Sequence, residues 1–456
     1  MKSWQHLVAV GKTLINRIEH IRIKESLLYA LPFWIGAAVT GLMAVAYARI
    51  FNWAEQGAIL LVRTSGYWMM LITPAMFLLA WWVVKKFAPF AAGSGIPQVT
   101  AAIELTKPGY AQFVNKLLGL RIILLKIISS TLMALGGGVT GREGPTIQIS
   151  ASIFKVINDN LPSWFPRISR KNMLVTGAAA GLASAFNTPL GGIVFAIESL
   201  TKTHFNFFRS ALLTGVIIAG LTAQNLLGPY LYIGYPDMEG LSTWIFFPVM
   251  VAAGIAGLTG SLVAMVILKV MRKKRSLQKN WHHAAWVAGS GFILAALAVL
   301  VHHEIMGSGK EVMVHALFTD DKHLPWHAPL MRFMGMTLSF STGAAGGVFA
   351  PALGLGASVG AALAGVGKIV AADANLLILC GMAACLTGIT RSPFTNAILV
   401  NEMTNSHNVI FYILLSALVA NLISNLISNR SFYDVMHDQY VKDLGIDQDT
   451  KKEMLA

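Results

Sequence analysis

Glu143 carries a carboxylate inside one of the longest apolar regions of this chain, within Gly141-Arg142-Glu143-Gly144-Pro145. An ionisable group at membrane depth is costly, so its presence indicates a function. The glycines let backbone amides approach a ligand closely, and proline is accepted in the first turn of a helix. A helix that begins here would direct free N–H groups and its positive dipole end toward an anion, or toward the glutamate itself.

Two further glycine-rich segments have the same design. They are Gly-Ser-Gly-Ile-Pro at 93–97 and Gly-Gly-Val-Phe-Ala-Pro at 346–351. Each places small residues before a proline that can lie at the start of a helix. Tyr433 follows the last apolar segment and adds a hydroxyl donor. The elements that follow the glycine motifs are predicted to be helices.

The composition indicates an integral membrane protein. Of 456 residues, 55% are hydrophobic and only 12% are charged, whereas soluble domains carry roughly 25% charged residues. The net charge of +14 comes from cations at the ends of apolar segments, at 85–86, 167–171 and 272–275. This pattern is typical of the positive-inside rule, so we expect a lipid bilayer as the partner and not a nucleic acid.

The hydrophobicity pattern predicts an all-α, multi-pass protein of three parts. Several apolar stretches are too short for a simple span of about 20 residues, and others are interrupted by Gly or Pro. We expect a basic amphipathic cytoplasmic segment over 1–27, a membrane transport domain over 28–435, and a short polar cytoplasmic tail over 436–456. Both termini are thus predicted to be cytoplasmic, in the cell inner (plasma) membrane.

The chain also resembles itself. The segment 177–189, which runs on to Glu198, aligns without gaps to 381–393, which runs on to Glu402. The spacing Gly141-x-x-x-Pro145 is echoed at 347–351. Two repeats, roughly 28–228 and 244–430, each with an interrupted segment at a corresponding position, predict a transport site where the repeats meet.

The three glycine motifs, in this order and followed by Tyr433, resemble the CLC family of chloride channels and chloride/proton antiporters. The resemblance covers roughly residues 30 to 435. It implies a homodimer with one pore per subunit, each subunit built from two inverted-topology repeats of many tilted and partly spanning helices. It also implies a protein that is not an enzyme and needs no cofactor, with chloride and protons as its substrates.

The resemblance also implies the anion site. The hydroxyls of Ser94 and Tyr433 and the backbone amides of Val348 and Phe349 would bind the central chloride. The amides of Arg142, Glu143 and Gly144 would line an outer site, and those of Gly93 and Ser94 an inner one. Hydroxyls, amides and helix dipoles offer partial charges, which bind an anion weakly enough to let it leave. Arg142 has two open interpretations, electrostatics at the mouth or a structural pairing.

Glu143 matches the gating glutamate of the family. Its carboxylate would occupy an anion site when deprotonated, and it would swing away with a proton when protonated. The sequence therefore predicts a chloride/proton antiporter that also moves bromide and nitrate less selectively. Ser94 resembles the chloride-selecting form, which disfavours a fluoride exporter.

The chain departs from the best-known antiporters at Ser199. Family antiporters of that type carry a proton-relaying glutamate at this position, whereas serine cannot titrate. Glu198 could serve as a proton entry, or it could have a structural role, in which it caps backbone amides or pairs with a basic residue. For its repeat partner Glu402 we favour the structural role. Glu104 could face cytoplasmic water. The alternative function is therefore an uncoupled or weakly coupled CLC-type chloride channel.

Overall fold

The computed structural model describes residues 20–107, 109–201, 209–228, 232–302 and 305–446. Across these ranges the chain is helical, and its only β-pairing consists of two isolated bridges. In chain order the helices are α1 Ile21–Ser65, α2 Met69–Phe87, α3 Ile96–Glu104, α4 Ala111–Leu117, α5 Leu120–Leu135, α6 Glu143–Asp159, α7 Arg170–Phe186, α8 Pro189–Phe195, α9 Arg209–Leu227, α10 Phe246–Arg275, α11 Asn280–Leu300, α12 Lys310–Phe318, α13 His327–Ser341, α14 Phe349–Gly367, α15 Ala371–Thr390, α16 Pro393–Thr404, α17 Ile410–Ile427 and α18 Phe432–Asp443.

Within the described ranges, nine helical segments are long and apolar enough to cross a membrane. Others are far too short, among them α3 with nine residues and α8 with seven. A helix of nine residues rises only about 14 Å, roughly half the hydrocarbon core. The prediction of an all-α membrane fold with many partly spanning helices is confirmed.

Both predicted boundaries of the transport domain fall inside helices. The first helix begins at Ile21 and continues through residue 27, so the expected N-terminal segment has no separate end there. The rest of that segment, residues 1–19, lies outside the described residues. At the other end, α18 runs through residue 436 and buries Met436, His437, Tyr440 and Val441. The start of the predicted polar tail is therefore packed into the protein, and residues 447–456 lie outside the described ones.

The internal repeat is visible as one motif used twice. Asn187 caps the C-terminus of α7 in the left-handed conformation with φ 57°, and α8 begins two residues later at Pro189. Helix α15 ends in the same way at Arg391 with φ 62°, and α16 begins at Pro393. The gapless alignment of 177–189 with 381–393 thus matches equivalent backbone positions.

The two copies of this motif cap each other. Glu198 follows α8, yet its carboxylate accepts the N–H groups of Phe394 and Thr395 at the start of α16, at 3.1 and 2.7 Å. Glu402 follows the start of α16 and accepts the N–H groups of Leu190 and Gly191, at 3.0 and 2.8 Å. Corresponding residues exchange identical contacts, as a two-fold relation between the repeats requires.

Small residues allow the central helices to pack closely. A Cβ at Gly356 of α14 would lie 2.7 Å from Cα of Met382 in α15, and one at Gly360 would lie 2.6 Å from the Leu377 carbonyl oxygen. Both distances are shorter than a carbon side chain can accept. Helix contacts of this kind stabilise membrane bundles by close backbone approach.

Candidate functional site

Each glycine motif begins a helix, as predicted. Gly95 precedes α3, Arg142 precedes α6 and Val348 precedes α14. The first N–H groups of a helix have no acceptor within the helix and carry its positive dipole end. Tyr433 lies in the first turn of a fourth helix, α18, which a capping box at Ser431 starts.

Backbone hydrogen bonds join the three motifs into one unit. Gly141 and Gly347 exchange two of them, at 2.8 and 2.7 Å. Gly93 donates to the Ala344 carbonyl at 2.9 Å and accepts from the Gly346 amide at 3.1 Å. These hydrogen bonds join the first repeat to the second, and they hold the N-termini of α3, α6 and α14 together.

One of these bonds corrects the expected role of Gly93. Its amide was expected to line the inner anion site, but that N–H donates to the Ala344 carbonyl. Gly93 is at φ 64°, a left-handed conformation that turns its N–H toward the neighbouring loop. Gly93 therefore shapes the site and does not donate to an anion.

Gly144 brings two of the motifs into contact. A Cβ on this residue would lie 2.8 Å from the Ser94 carbonyl oxygen and 3.2 Å from Cα of Gly347. Any side chain here would push α6 away from both loops. Glycine is thus needed for the N-terminus of α6 to reach the serine loop.

Two hydroxyls meet at this point with no hydrogen-bond partner beyond each other. Ser94 is 5% exposed, and neither its Oγ nor the buried Tyr433 hydroxyl is hydrogen-bonded to any further described residue. The two groups are near neighbours, and the charge of Glu143 also acts on the phenol. The Tyr433 ring stacks on Phe349, with centroids 6.3 Å apart. Buried donors are nearly always satisfied, so this pair indicates a place for an acceptor.

Glu143 is itself buried, with 1% exposure, at the first position of α6. Its Oε1 accepts the hydroxyl of Tyr232 at 2.9 Å, while its Oε2 has no hydrogen-bond partner among the described residues. Tyr232 is thus the one side chain of another described residue that hydrogen-bonds the carboxylate.

Tyr232 is a contact that the sequence did not reveal. It lies outside every glycine motif, and no spacing in the sequence links it to Glu143. Its ring packs against Phe186, with centroids 4.9 Å apart, and lies under two cations, Lys310 at 4.9 Å and Arg142 at 6.0 Å. The only signal in the sequence is an aromatic residue between two apolar stretches.

Arg142 makes the structural contacts that one of its two interpretations required. Its Nη1 donates to Asn52 Oδ1 at 3.4 Å, and its guanidinium faces the Tyr232 ring. These contacts fit the structural interpretation of Arg142, and its electrostatic role at the mouth stays a prediction.

A buried lysine supports the serine loop from behind. Lys126 in α5 is fully buried and donates to the carbonyls of Ala91 and Gly93, at 3.0 and 2.7 Å. No motif in the sequence marks this residue. Its charge faces backbone oxygens and not the Ser94 hydroxyl, so it can favour an anion nearby without contacting it.

A cavity of 480 Å³ leads from Tyr433 toward the polar end of the molecule, and Glu198 and Ser199 both line it. Glu198 is engaged by the two α16 amides and by the Thr395 hydroxyl at 2.6 Å, which gives it the capping role. The Ser199 hydroxyl lies 2.9 Å from that of Ser392. In the described ranges, no three His, Cys, Asp or Glu side chains come together as metal ligands.

The chain matches one protein family and many of its members. The model of the voltage gated chloride channel family matches residues 76–425. A relative from Citrobacter koseri, described as H(+)/Cl(-) exchange transporter ClcA, is 30% identical over 93% of this chain and 90% of its own length. A protein of the same description from Salmonella arizonae is 28% identical over the same shares.

Solved structures share the fold. A slow cyanobacterial Cl−/H+ antiporter superimposes with a TM-score of 0.78 at 24% identity, over 91% of this chain and 98% of that one. A CLC-type fluoride/proton antiporter gives a TM-score of 0.74 at 21% identity, over the same shares. The fold, the joined glycine motifs and the family match agree: the chain belongs to the CLC family of voltage gated chloride channels and transporters, which are not enzymes.

Proposed function

We propose that this protein exchanges chloride for protons across the membrane. The observation that carries the proposal is the meeting of two buried hydroxyls, those of Ser94 and Tyr433, which have no partner beyond each other, with a buried glutamate at the start of α6. The relatives described as H(+)/Cl(-) exchange transporters support it, because this chain covers nine-tenths of their length.

The anion would lie among the N-termini of α3, α6, α14 and α18. The Ser94 and Tyr433 hydroxyls would donate to it, together with the N–H groups of Val348 and Phe349, and those of Arg142, Glu143 and Gly144 would form an outer position. The donors carry only partial charges, so an anion can be held without a water shell and still leave. Such a site suits chloride and bromide, and nitrate less selectively.

Glu143 would act as both gate and proton carrier. As a carboxylate it competes with the anion for the N–H groups at the start of α6. Once protonated it loses that negative charge and can give way to the anion. A single group that either takes the place of the anion or carries a proton couples the two fluxes directly.

The second candidate function is an uncoupled or weakly coupled chloride channel. It is favoured by Ser199, whose hydroxyl lies beside that of Ser392 where the resemblance would place a relaying carboxylate. Two hydroxyls can order a chain of water but cannot store a proton. The two functions differ in whether chloride flux drives protons.

A reversal-potential measurement on the reconstituted protein tests the proposal. Under a fixed chloride gradient, we expect the reversal potential to shift when a pH gradient is added, because an exchanger moves both ions in a fixed ratio. The reversal potential of the wild-type protein at two pH gradients is enough for this test. A reversal potential that stays at the chloride equilibrium value at every pH would establish the channel instead.

The expected partners are a second copy of the chain, the lipid bilayer, chloride and protons, in the plasma membrane. A homodimer with one pore per subunit is supported by the family alone. Sedimentation of the detergent-solubilised protein would test it, and a particle with the mass of one 49.1 kDa chain would refute it.

A further inference from the structure

The cavity below Tyr433 contains a group of titratable side chains that the proposed site does not use. On its wall, Nε2 of His437 lies 2.9 Å from Oε2 of Glu104, and Nδ1 lies 3.2 Å from Oδ1 of Asp438. The first contact is an ion pair by distance, with an angle too bent for a regular hydrogen bond. One imidazole thus lies between two carboxylates.

The pair spans the boundary between solution and protein. The Glu104 side chain is 41% exposed, whereas that of His437 is 9% exposed. Glu104 ends α3, the helix that follows the Ser94 loop, and His437 lies one turn after Tyr433 in α18. The two residues therefore lie on α3 and α18, the same two helices whose N-terminal ends lie beside the Ser94 and Tyr433 hydroxyls.

The other carboxylates around this cavity already serve as caps. Glu198 accepts from the start of α16, and Asp434 accepts the N–H and hydroxyl of Ser431 at the start of α18, at 3.1 and 2.7 Å. A proton could bind to either only by competing with those donors. Glu104 and His437 combine access to solution with a contact between two titratable groups.

We infer that Glu104 and His437 form the proton-uptake site of the exchange cycle. This inference rests on the proposed function. The pair would take the place of the proton-relaying carboxylate that is absent at Ser199. A proton from the solution adds to the Glu104 carboxylate or to the His437 imidazole beside it. It then passes along water in the cavity, past Tyr433, to the Glu143 carboxylate, and the pair returns to its unprotonated state.

The size and charge of the cavity suit this transfer. At about 30 Å³ per molecule, 480 Å³ holds on the order of ten waters. The charged groups around the imidazole come from several elements: Glu104 and Lys107 from α3 and the turn after it, Asp434 and Asp438 from α18, and Lys171, Glu198 and Arg391 from the far wall. Six residues farther along α18, Asp443 pairs with Arg275 of α10 at 3.4 Å and is not among the residues that line the cavity.

The test compares proton and chloride fluxes in vesicles that contain purified protein. The double variant Glu104→Gln with His437→Gln removes both titratable groups and keeps side chains of similar size. We expect it to lose proton flux, to keep chloride flux, and to reverse at the chloride equilibrium potential. Asp443→Asn is the matched control in the same helix and should keep wild-type coupling.

The outcomes separate this inference from the function on which it rests. If the wild-type protein moves no protons, the exchange function fails, and the inference fails with it. If the wild-type protein is coupled and the double variant has the same ratio of protons to chloride, only the inference is wrong. Loss of coupling in Glu198→Gln, with coupling retained in the double variant, would move the role to Glu198.

Discussion

Glu143 shows how a carboxylate can be kept at membrane depth. It is placed at the first position of a helix, where backbone N–H groups and the dipole favour negative charge. One phenol, that of Tyr232, holds it from the side, and two cations lie on the phenol ring. No other side chain among the described residues hydrogen-bonds it, so its position depends on few partners.

The variant Glu143→Gln removes the titratable group and keeps the shape. We expect proton movement to stop and chloride flux to continue, because a neutral amide competes weakly with chloride for the N–H groups and carries no proton. Paired proton and chloride flux assays check this. Proton pumping that persists in the variant would show that another residue carries the proton.

Tyr232→Phe deletes the single side-chain donor to Glu143. Hydrogen bonds to charged groups contribute about 1.5–3 kcal/mol, so we expect the carboxylate to leave its position more readily and chloride turnover to rise roughly tenfold. The initial rate of chloride efflux per protein measures this. Tyr235→Phe is the control, since that side chain is 68% exposed in the same segment. An unchanged rate in Tyr232→Phe would mean that the hydrogen bond does not restrain the gate.

At the scale of elements, the exchanged caps connect the two repeats. Glu198 belongs to one repeat and caps α16, and Glu402 belongs to the other and caps α8. Each short helix therefore has its N-terminus fixed by the other half of the molecule. The two caps hold these helices together near the contact between Ser199 and Ser392, which belongs to the cavity wall.

Glu402→Gln should lower stability and leave transport intact. The amide retains one acceptor oxygen for two N–H groups and loses the charge, so we expect a loss of about 1 kcal/mol in the free energy of unfolding. Glu198→Gln should behave alike because its contacts are equivalent. Thermal unfolding in detergent measures the change, with exposed Glu239→Gln as control. A variant with normal thermal stability and altered coupling would instead show a role in proton transfer.

At the scale of the molecule, three basic clusters lie around the end where the cavity opens. Arg275 pairs with Asp443 of α18, Lys85 donates to Asn280 after α10, and Lys171 lines the cavity itself. The opposite end carries the segment near Asp237, where Asn375 and Asp373 make contacts. By the positive-inside rule, we expect the cavity to face the cytoplasm.

This orientation predicts which surfaces a membrane-impermeant thiol reagent can reach. Ser276→Cys should react only after the cells are permeabilised, and Glu239→Cys should react in intact cells. The two native thiols, Cys380 and Cys385, are fully buried and should give little background. Reaction of Ser276→Cys in intact cells would reverse the assigned orientation, and with it the direction of proton uptake at Glu104.

The sequence alone determined the membrane class, the repeat and the helix starts, because these depend on local composition and on short Gly/Pro spacings. It placed Ser94, Glu143 and Phe349 in motifs that begin helices, and Tyr433 after the last apolar segment. The tertiary structure decided what meets there: the Tyr232 hydroxyl on Glu143, Lys126 behind Gly93, and His437 against Glu104. It also showed that the Gly93 N–H donates to the Ala344 carbonyl. These contacts join residues far apart in the chain, and short-range spacing cannot specify them, because they depend on how packed helices bring their ends together.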